Sequence, residues 1–356
     1  MLKIVESVTI GQPDKVCDLI ADTIVDEYIR RDPNSRVDLH VFGSHGMLMV
    51  GGEVQSTADF DVSALAKKTY MSIGYPDDME VFVNVEAPSE EMRGVTTGVM
   101  DMAVINGYAT SETRERLPRA VVFAHALARR LDDLRKTDPA FSWMKPDGKV
   151  QVAMRGERVE AVTILCGHHV SISERDARTA LLERLVIPTV GEQGVQMYIN
   201  PIGSFTVCGF RADSGASGRK VSVDTYGGLI PHGDKALCGK DPMRAERSGA
   251  YLARVAARSL VDGGLCASAL VSVAYTMGRA EPIHVSAVGT GEKSRGSKMD
   301  LSAVVKKQFD FRPAAIVERL DLLRPIYAQT AAYGCFGREG LPWETVLHVD
   351  KNIGTL

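Results

Sequence analysis

Long apolar runs are absent from this 356-residue chain, and none approaches the ~18 residues that span a bilayer. The start, Met1-Leu2-Lys3-Ile4-Val5-Glu6, has no apolar core long enough for a secretory signal. Membrane attachment is therefore not expected. Cysteine is sparse: six residues, at 17, 166, 208, 238, 266 and 335, with no C-x-x-C pair and no Cys/His cluster at zinc spacing. A disulfide scaffold is excluded, and reduced thiols in a cytoplasmic chain are the simplest expectation. A charge excess is also missing. Lys and Arg total 42 against 45 Asp and Glu, a net −3, which argues against generic nucleic-acid binding. The remaining composition is ordinary for a globular chain, with 45% hydrophobic and 24% charged residues. The length predicts two or three domain-sized units.

Periodicity shows one order of elements three times. Pro13 opens a helix with Val16, Leu19, Ile20 and Ile24 on one face. Strands at 37–42 and 47–54 follow, turning at Ser44-His45-Gly46, then a helix near 62–72 and a strand near 80–85. Pro118 opens the second pass, with strands at 149–154 and 159–165, a Ser173/Asp176 capping box and a strand at 196–200. In the third pass Asp241 is expected to cap a helix with Pro242 at its first position, running to Gly263-Gly264. Strands at 269–275 and 283–288 and helices near 301–309 and 313–322 complete it. The strands outnumber what a doubly wound parallel sheet needs. The expected fold is α+β: three pseudo-symmetric α/β units, 1–98, 99–204 and 205–356, with mixed or antiparallel sheets. Helices on one face leave a second face to bury, and a like subunit is a natural cover.

Four stretches crowd opposite charges among loop residues. Gly11-Gln12-Pro13-Asp14-Lys15 enters a helix, where an anion is favoured. Pro146-Asp147-Gly148-Lys149 reads as a β-turn leading into a strand. Asp213-Ser214-Gly215-Ala216-Ser217-Gly218-Arg219-Lys220 suits a phosphate cradle without matching the P-loop pattern. Lys240, Arg244 and Arg247 gather around Glu246 at a helix start. Each stretch has a plain structural reading as a turn, a flexible loop or a solvated helix end. Together they fit a nucleoside triphosphate with Mg²⁺, cations meeting phosphate oxygens and carboxylates meeting a hard metal.

In this order the stretches resemble S-adenosylmethionine synthetases. The most specific strings are Gly218-Arg219-Lys220 through Asp224-Thr225-Tyr226-Gly227-Gly228, then Gly239-Lys240-Asp241-Pro242 through Arg247-Ser248-Gly249-Ala250-Tyr251. Gln329-Thr330-Ala331-Ala332-Tyr333-Gly334 and Phe336-Gly337-Arg338-Glu339 extend the resemblance over nearly the whole chain. It implies three pseudo-symmetric subdomains, a homodimer or homotetramer with active sites between subunits, and ATP and methionine as substrates. The sulfur would attack C5′ of ATP and expel triphosphate, later cleaved to phosphate and pyrophosphate. By matching positions, Asp14 and Glu246 would hold two Mg²⁺ ions. Asp147, Lys149, Ser204, Phe205, Asp213, Arg219, Lys220, Ala236 and Lys240 would surround ATP, with Phe205 on the adenine. Glu53, Asp101, Asp213 and Arg244 would meet methionine. Gln12, Lys149, Arg219 and Lys240 would act on the reacting groups.

Departures from the family pattern fall around that same site. Gln12 stands where the family has a histidine that donates to the leaving triphosphate, and an amide cannot become cationic. The Gly-Ala-Gly-Asp-Gln-Gly motif is reduced to Gly98-Val99-Met100-Asp101-Met102-Ala103, and the gating loop is cut to 87–97. His40 replaces a glutamate used for K⁺, which argues against K⁺ activation. Arg244 replaces a lysine and Ser204 a cation. Asp234 and Lys235 replace glycines, and Cys335 replaces a histidine. Three functions fit these changes: an adenosyltransferase for methionine, one for another sulfur nucleophile or methionine analogue, or a weakly active nucleotide-binding paralogue.

Overall fold

The computed structural model describes residues 1–95, 98–191, 194–233, 235–291, 299–350 and 353. The first third holds β1 (Leu2–Val8), α1 (Pro13–Arg31), β2 (Arg36–Ser44), β3 (Met47–Gln55), α2 (Val62–Ile73), β4 (Glu80–Glu86) and the short α3 (Glu90–Arg93). The middle third holds β5 (Ala103–Thr110), α4 (Arg119–Thr137), β6 (Met144–Arg155), β7 (Arg158–His168), α5 (Glu174–Leu181), α6 (Ile187–Val190) and β8 (Gln196–Ile199). The last third holds β9 (Gly215–Ala216), α7 (Val221–Asp224), α8 (Ala245–Asp262), β10 (Ser268–Tyr275), β11 (His284–Thr290), α9 (Leu301–Gln308) and α10 (Pro313–Leu320).

The strands form three sheets, ordered β4-β3-β2-β9, β1-β6-β7-β8 and β11-β10-β5. Each is built on one antiparallel hairpin, and each takes its partner for the hairpin's first strand from the preceding third of the chain. β1 pairs with β6, β5 with β10 and, closing the circle, β9 with β2. All three of these pairings are antiparallel, while β4 and β8 add parallel to the second hairpin strands. The cyclic exchange ties the thirds together and accounts for the mixed sheets.

Helices cover the inner faces. β2 alternates Val37, Leu39 and Val41 toward the core, where α1 supplies Val16, Ile20 and Ile24. α8 is buried at sixteen of its eighteen positions and lies directly on β5. Gly107 permits that approach, because a Cβ there would sit 2.1 Å from the Ala253 carbonyl carbon. The outer face of the first sheet stays bare. Phe42, Met49 and Phe82, exposed and in register across three strands, form an apolar row. All six cysteines are free and buried. No helix among the described residues is long and apolar enough to cross a membrane.

The third repeated helix starts later than its sequence predicts. Asp241 does not cap it: its carboxylate accepts the Val37 N–H at 2.7 Å and the Met243 N–H at 2.8 Å, so the segment first turns against β2. The helix begins at Ala245, after Arg244. Pro146-Asp147-Gly148 is likewise not a free turn. It lies within β6, where the register to β7 slips between Met144 and Gly148. A π-helical turn at Leu182–Val186 has no signal in the sequence, and β1 and β5 add to the strands read from it.

Candidate active site

The first group of side chains forms where α1 begins. Gln12 caps the helix, its Oε1 accepting the N–H groups of Asp14 (3.0 Å) and Lys15 (3.2 Å). Its Nε2 donates to Asp14 Oδ2 at 3.2 Å. The glutamine therefore faces inward and fixes the aspartate beside it. Asp14 is fully buried. Its Oδ1 accepts the Ala216 N–H at 3.0 Å and pairs with Arg219 Nε at 2.7 Å, while Oδ2 pairs with Lys220 Nζ at 2.9 Å. Burial opposes ionisation of this carboxyl, but the Ala216 N–H and the Lys220 ammonium outweigh it and hold Asp14 below the usual carboxylate range.

Asp14 is the first rung of a ladder. Asp18, Asp22 and Asp26 follow at four-residue spacing along α1, and each accepts a backbone N–H from the last third of the chain. Asp18 takes Gly218 (2.7 Å), Asp22 takes Gly239 (2.9 Å) and Asp26 takes Tyr327 (2.9 Å) and Ala328 (2.9 Å). The ladder draws three segments of the last third, around 216–218, 239 and 327–328, against one helix. Its signal in the sequence is the four-residue repeat of Asp, which puts all four acids on one face. Between the rungs, the buried Lys15 ammonium binds Asp18 at 2.9 Å and also Asp224. Asp18, Asp224 and Cys238 place donor atoms within 4.8 Å of one another, but the Lys15 ammonium is already bound to both carboxylates of that trio.

A second group surrounds the start of α8. Lys240 Nζ lies 2.8 Å from Glu246 Oε1, with both side chains buried, and Glu246 Oε2 has no hydrogen-bond partner. Arg244 reaches Asp38 Oδ2 at 3.1 Å. Asp38 sits opposite Glu53 in the β2–β3 ladder and bridges to the Lys240 backbone. His40 Nε2 is 3.9 Å from Asp38 Oδ1. Asp101 pairs with Lys235 at 2.8 Å. Burial works against the Asp101 charge, but Lys235, the Met102 N–H and Lys240 draw its pKa below the ordinary value. Asp38 gives no sign in the sequence, because a polar residue alternating along a strand reads as a solvated face.

The third group lies on β6. Asp147 Oδ2 accepts the Gly209 N–H at 2.9 Å, and its Oδ1 is buried without a partner. Burial pushes this carboxyl up to about 6, against the Gly209 bond and the Lys149 charge. Lys149 is exposed, as are Asp213 and Ser204. Asp213 turns back to accept the Ser214 N–H at 2.8 Å. Phe205 is half-buried, its backbone tied to His168 by bonds of 3.0 and 2.9 Å.

The groups are unequally joined. Ser217 exchanges hydrogen bonds with Val41, and Leu39 donates to the Gly239 carbonyl at 2.8 Å, so both loops of the last third run beside β2. Gly218 meets Ala236 where a Cβ would come within 2.4 Å, which brings the Asp14 and Lys240 loops together. The Asp147 group joins through Thr9, whose hydroxyl donates to the Pro146 carbonyl at 2.7 Å and whose N–H donates to the Gly148 carbonyl at 3.0 Å. Among the described residues no side-chain hydrogen bond links Lys149, Phe205 or Asp147 to Asp14 or Lys240. Asp234 and residues 96–97 of the shortened gating loop lie outside the described residues.

Comparison with known proteins matches this arrangement to one family throughout. Sequence models of the N-terminal, central and C-terminal domains of S-adenosylmethionine synthetase match residues 1–89, 96–205 and 207–345. An S-adenosylmethionine synthase of Sorangium cellulosum is 40% identical over 367 residues, covering 95% of this chain and 86% of that protein. One of Petrotoga mobilis is 37% identical over 386 residues, covering 97% and 96%. One of Deinococcus radiodurans is 39% identical over 388 residues, covering 95% and 94%. With three domain matches in chain order and relatives alike from end to end, the chain belongs to the S-adenosylmethionine synthetase family.

Proposed function

We propose that this protein forms S-adenosylmethionine from ATP and methionine, the sulfur attacking C5′ and triphosphate leaving to be cleaved to phosphate and pyrophosphate. The observation that carries the proposal is the pairing at two helix starts. Asp14 is held by Arg219 and Lys220, and Glu246 by Lys240. Each set joins a carboxylate that suits a hard metal to cations that suit phosphate.

The donor set fits Mg²⁺. Asp14 and Glu246 offer oxygen ligands, and Glu246 Oε2 is buried with no other partner. When bound, Mg²⁺ neutralises negative charge on the polyphosphate. The chain's own cations have the complementary role. As triphosphate enters, Arg219, Lys220 and Lys240 exchange carboxylate for phosphate, and Asp14 and Glu246 are released for metal. Lys149, exposed on β6, meets the same chain of phosphates, and Ala236 lines the loop beside Gly218. Gln12 keeps Asp14 in place. Phe205, Ser204, Asp147 and Asp213 receive the nucleoside. K⁺ has no part in this reading, since His40 stands beside Asp38.

Methionine meets Asp101, Asp213, Glu53 and Arg244. One observation favours a second reading: Arg244 is already engaged by Asp38, so the amino-acid carboxylate has a competitor for it. A different sulfur nucleophile or a methionine analogue fits that pairing. The bare row of Phe42, Met49 and Phe82 is read as the face that meets a second copy, giving a homodimer or homotetramer.

Incubation with ATP, Mg²⁺ and methionine, followed by mass spectrometry, tests the proposal. The expected result is S-adenosylmethionine with phosphate and pyrophosphate. Product from an analogue but none from methionine selects the second reading, and nucleotide binding without triphosphate release for any thioether overturns both.

A further inference from the structure

A cavity of about 410 Å³ opens between α4 and the segment 333–338. None of the residues assigned to ATP, methionine or metal lines it, so its chemistry is independent of the proposed reaction. Its wall includes Arg129 and Arg338. The Arg129 guanidinium lies over the Tyr333 ring, 5.5 Å from its centroid. Arg338 donates through one nitrogen to the carbonyls of Gln329 (2.7 Å) and Ala332 (3.4 Å). Among the described residues, neither guanidinium has a carboxylate partner. Glu115 and Glu339 are the acids of the wall, and Glu339 is engaged by Arg114.

His125 completes the wall and is 7% exposed. Its Nδ1 lies 2.9 Å from the Ser7 hydroxyl, and its Nε2 has no hydrogen-bond partner. Burial, then the charges of Arg129, Lys15 and Arg338, lower its pKa to about 3. The ring is therefore neutral, with one nitrogen shared with the Ser7 hydroxyl and the other packed against the backbone at Gly334.

The backbone opposite is shaped to lie close. Gly334 and Gly337 have φ of +78° and +76°. A Cβ on Gly334 would fall 2.6 Å from His125 Nε2, and one on Gly337 would fall 2.7 Å from Leu117 Cδ1. Tyr333 itself is left-handed, at φ +62°, which is costly for an aromatic residue. Its hydroxyl bond to Asp132 and the Arg129 stack hold it there.

We infer that this cavity is a second anion site, taking a phosphate group between Arg129 and Arg338, with the buried His125 ring in the wall beside it. Two guanidiniums without carboxylate partners repel one another, and a tetrahedral dianion accepts forked N–H bonds from both. The volume falls in the range of small-molecule sites, so the phosphate can be inorganic, part of pyrophosphate, or carried on a small organic group.

The test uses the full-length protein and three probes: inorganic phosphate, pyrophosphate and phenyl phosphate. Binding is followed by calorimetry and by the ¹⁵N resonances of the histidine side chains, both with the proposed active site filled by a saturating non-hydrolysable ATP analogue. At least one probe should bind saturably and shift the His125 ring nitrogens, and the tightest of the three identifies the source of the phosphate. Arg129→Met changes an exposed side chain, so the fold should be retained. It should weaken that binding by about tenfold, the loss of one charge-assisted contact, and leave the affinity for a non-hydrolysable ATP analogue as in the parent. Unmoved His125 resonances with all three probes, or equal binding by parent and Arg129→Met, would overturn the site.

Discussion

Helices α1 and α4 hold equivalent places in the repeated scaffold and do unequal work. Each has nineteen residues, each follows a strand paired into a neighbouring sheet, and each precedes a hairpin. Yet α1 buries thirteen residues and α4 only eight. α1 starts on a glutamine whose side chain caps two N–H groups, and α4 starts on Pro118 with no side-chain cap. The difference follows from the aspartate ladder. Four acids on α1 collect N–H groups from three segments of the last third, and α4 offers no such row. A repeated architecture therefore supplies equivalent helix starts, but chemistry gathers only where a distant segment is pulled onto one of them.

The largest effect that sharpens this contrast lies within α1 itself, between charge that holds the scaffold and charge that serves the site. Lys15 is as buried as Asp14, but its partners are the buried Asp18 and Asp224. Lys15→Met leaves two buried carboxylates without compensation. It should cost roughly 3–5 kcal/mol of stability, read from urea unfolding. A loss below about 1 kcal/mol would mean that the ladder holds the loops without this cation.

Asp14→Asn should act the other way, on turnover more than on folding. The amide keeps the Ala216 bond but loses the attraction for Arg219, Lys220 and metal. A fall in kcat/KM of about 10²–10³-fold is expected, with the urea midpoint little changed. At the start of α4, Arg119→Ala should leave kcat/KM within about twofold, as surface substitutions generally do. Comparable losses at the two helix starts would break the comparison.

How far the sequence alone reaches depends on the same distinction between local and distant contacts. α1 is legible because Pro13 and the spacing of Val16, Ile20 and Ile24 are local signals. The hairpins are legible through period-two alternation. β5 is not, since Asn106-Gly107 interrupts it as a turn would, and that glycine exists because the backbone of α8 passes over it. The start of α8 is displaced because Asp241 is spent on Val37, a partner 204 residues away. The crowded stretches around Asp14, Arg219 and Lys240 stand out as loops rich in charge. Asp38 does not, because its significance comes only from Arg244 across the fold.

The second third of the chain reaches the site through β6 rather than through its helix, and Asp147 measures what that contribution costs. Its folded-state pKa is raised from 3.8 to about 6, burial being the main cause. Below pH 3.8 the carboxyl is protonated in folded and unfolded chains alike, and its full stabilising contribution is present. As pH rises from 3.8 to 6 the unfolded chain ionises first, and stability is lost. Above pH 6 the buried charge costs at most about 3 kcal/mol, the energy equivalent of the shift. Asp147→Asn keeps an oxygen for the Gly209 N–H and carries no charge. It should match the parent in urea unfolding below pH 4 and exceed its stability increasingly toward pH 6, with no further gain above. A difference that does not vary with pH would show that Lys149 already neutralises Asp147 in the folded chain, and would place this acid with Asp14 among the compensated charges.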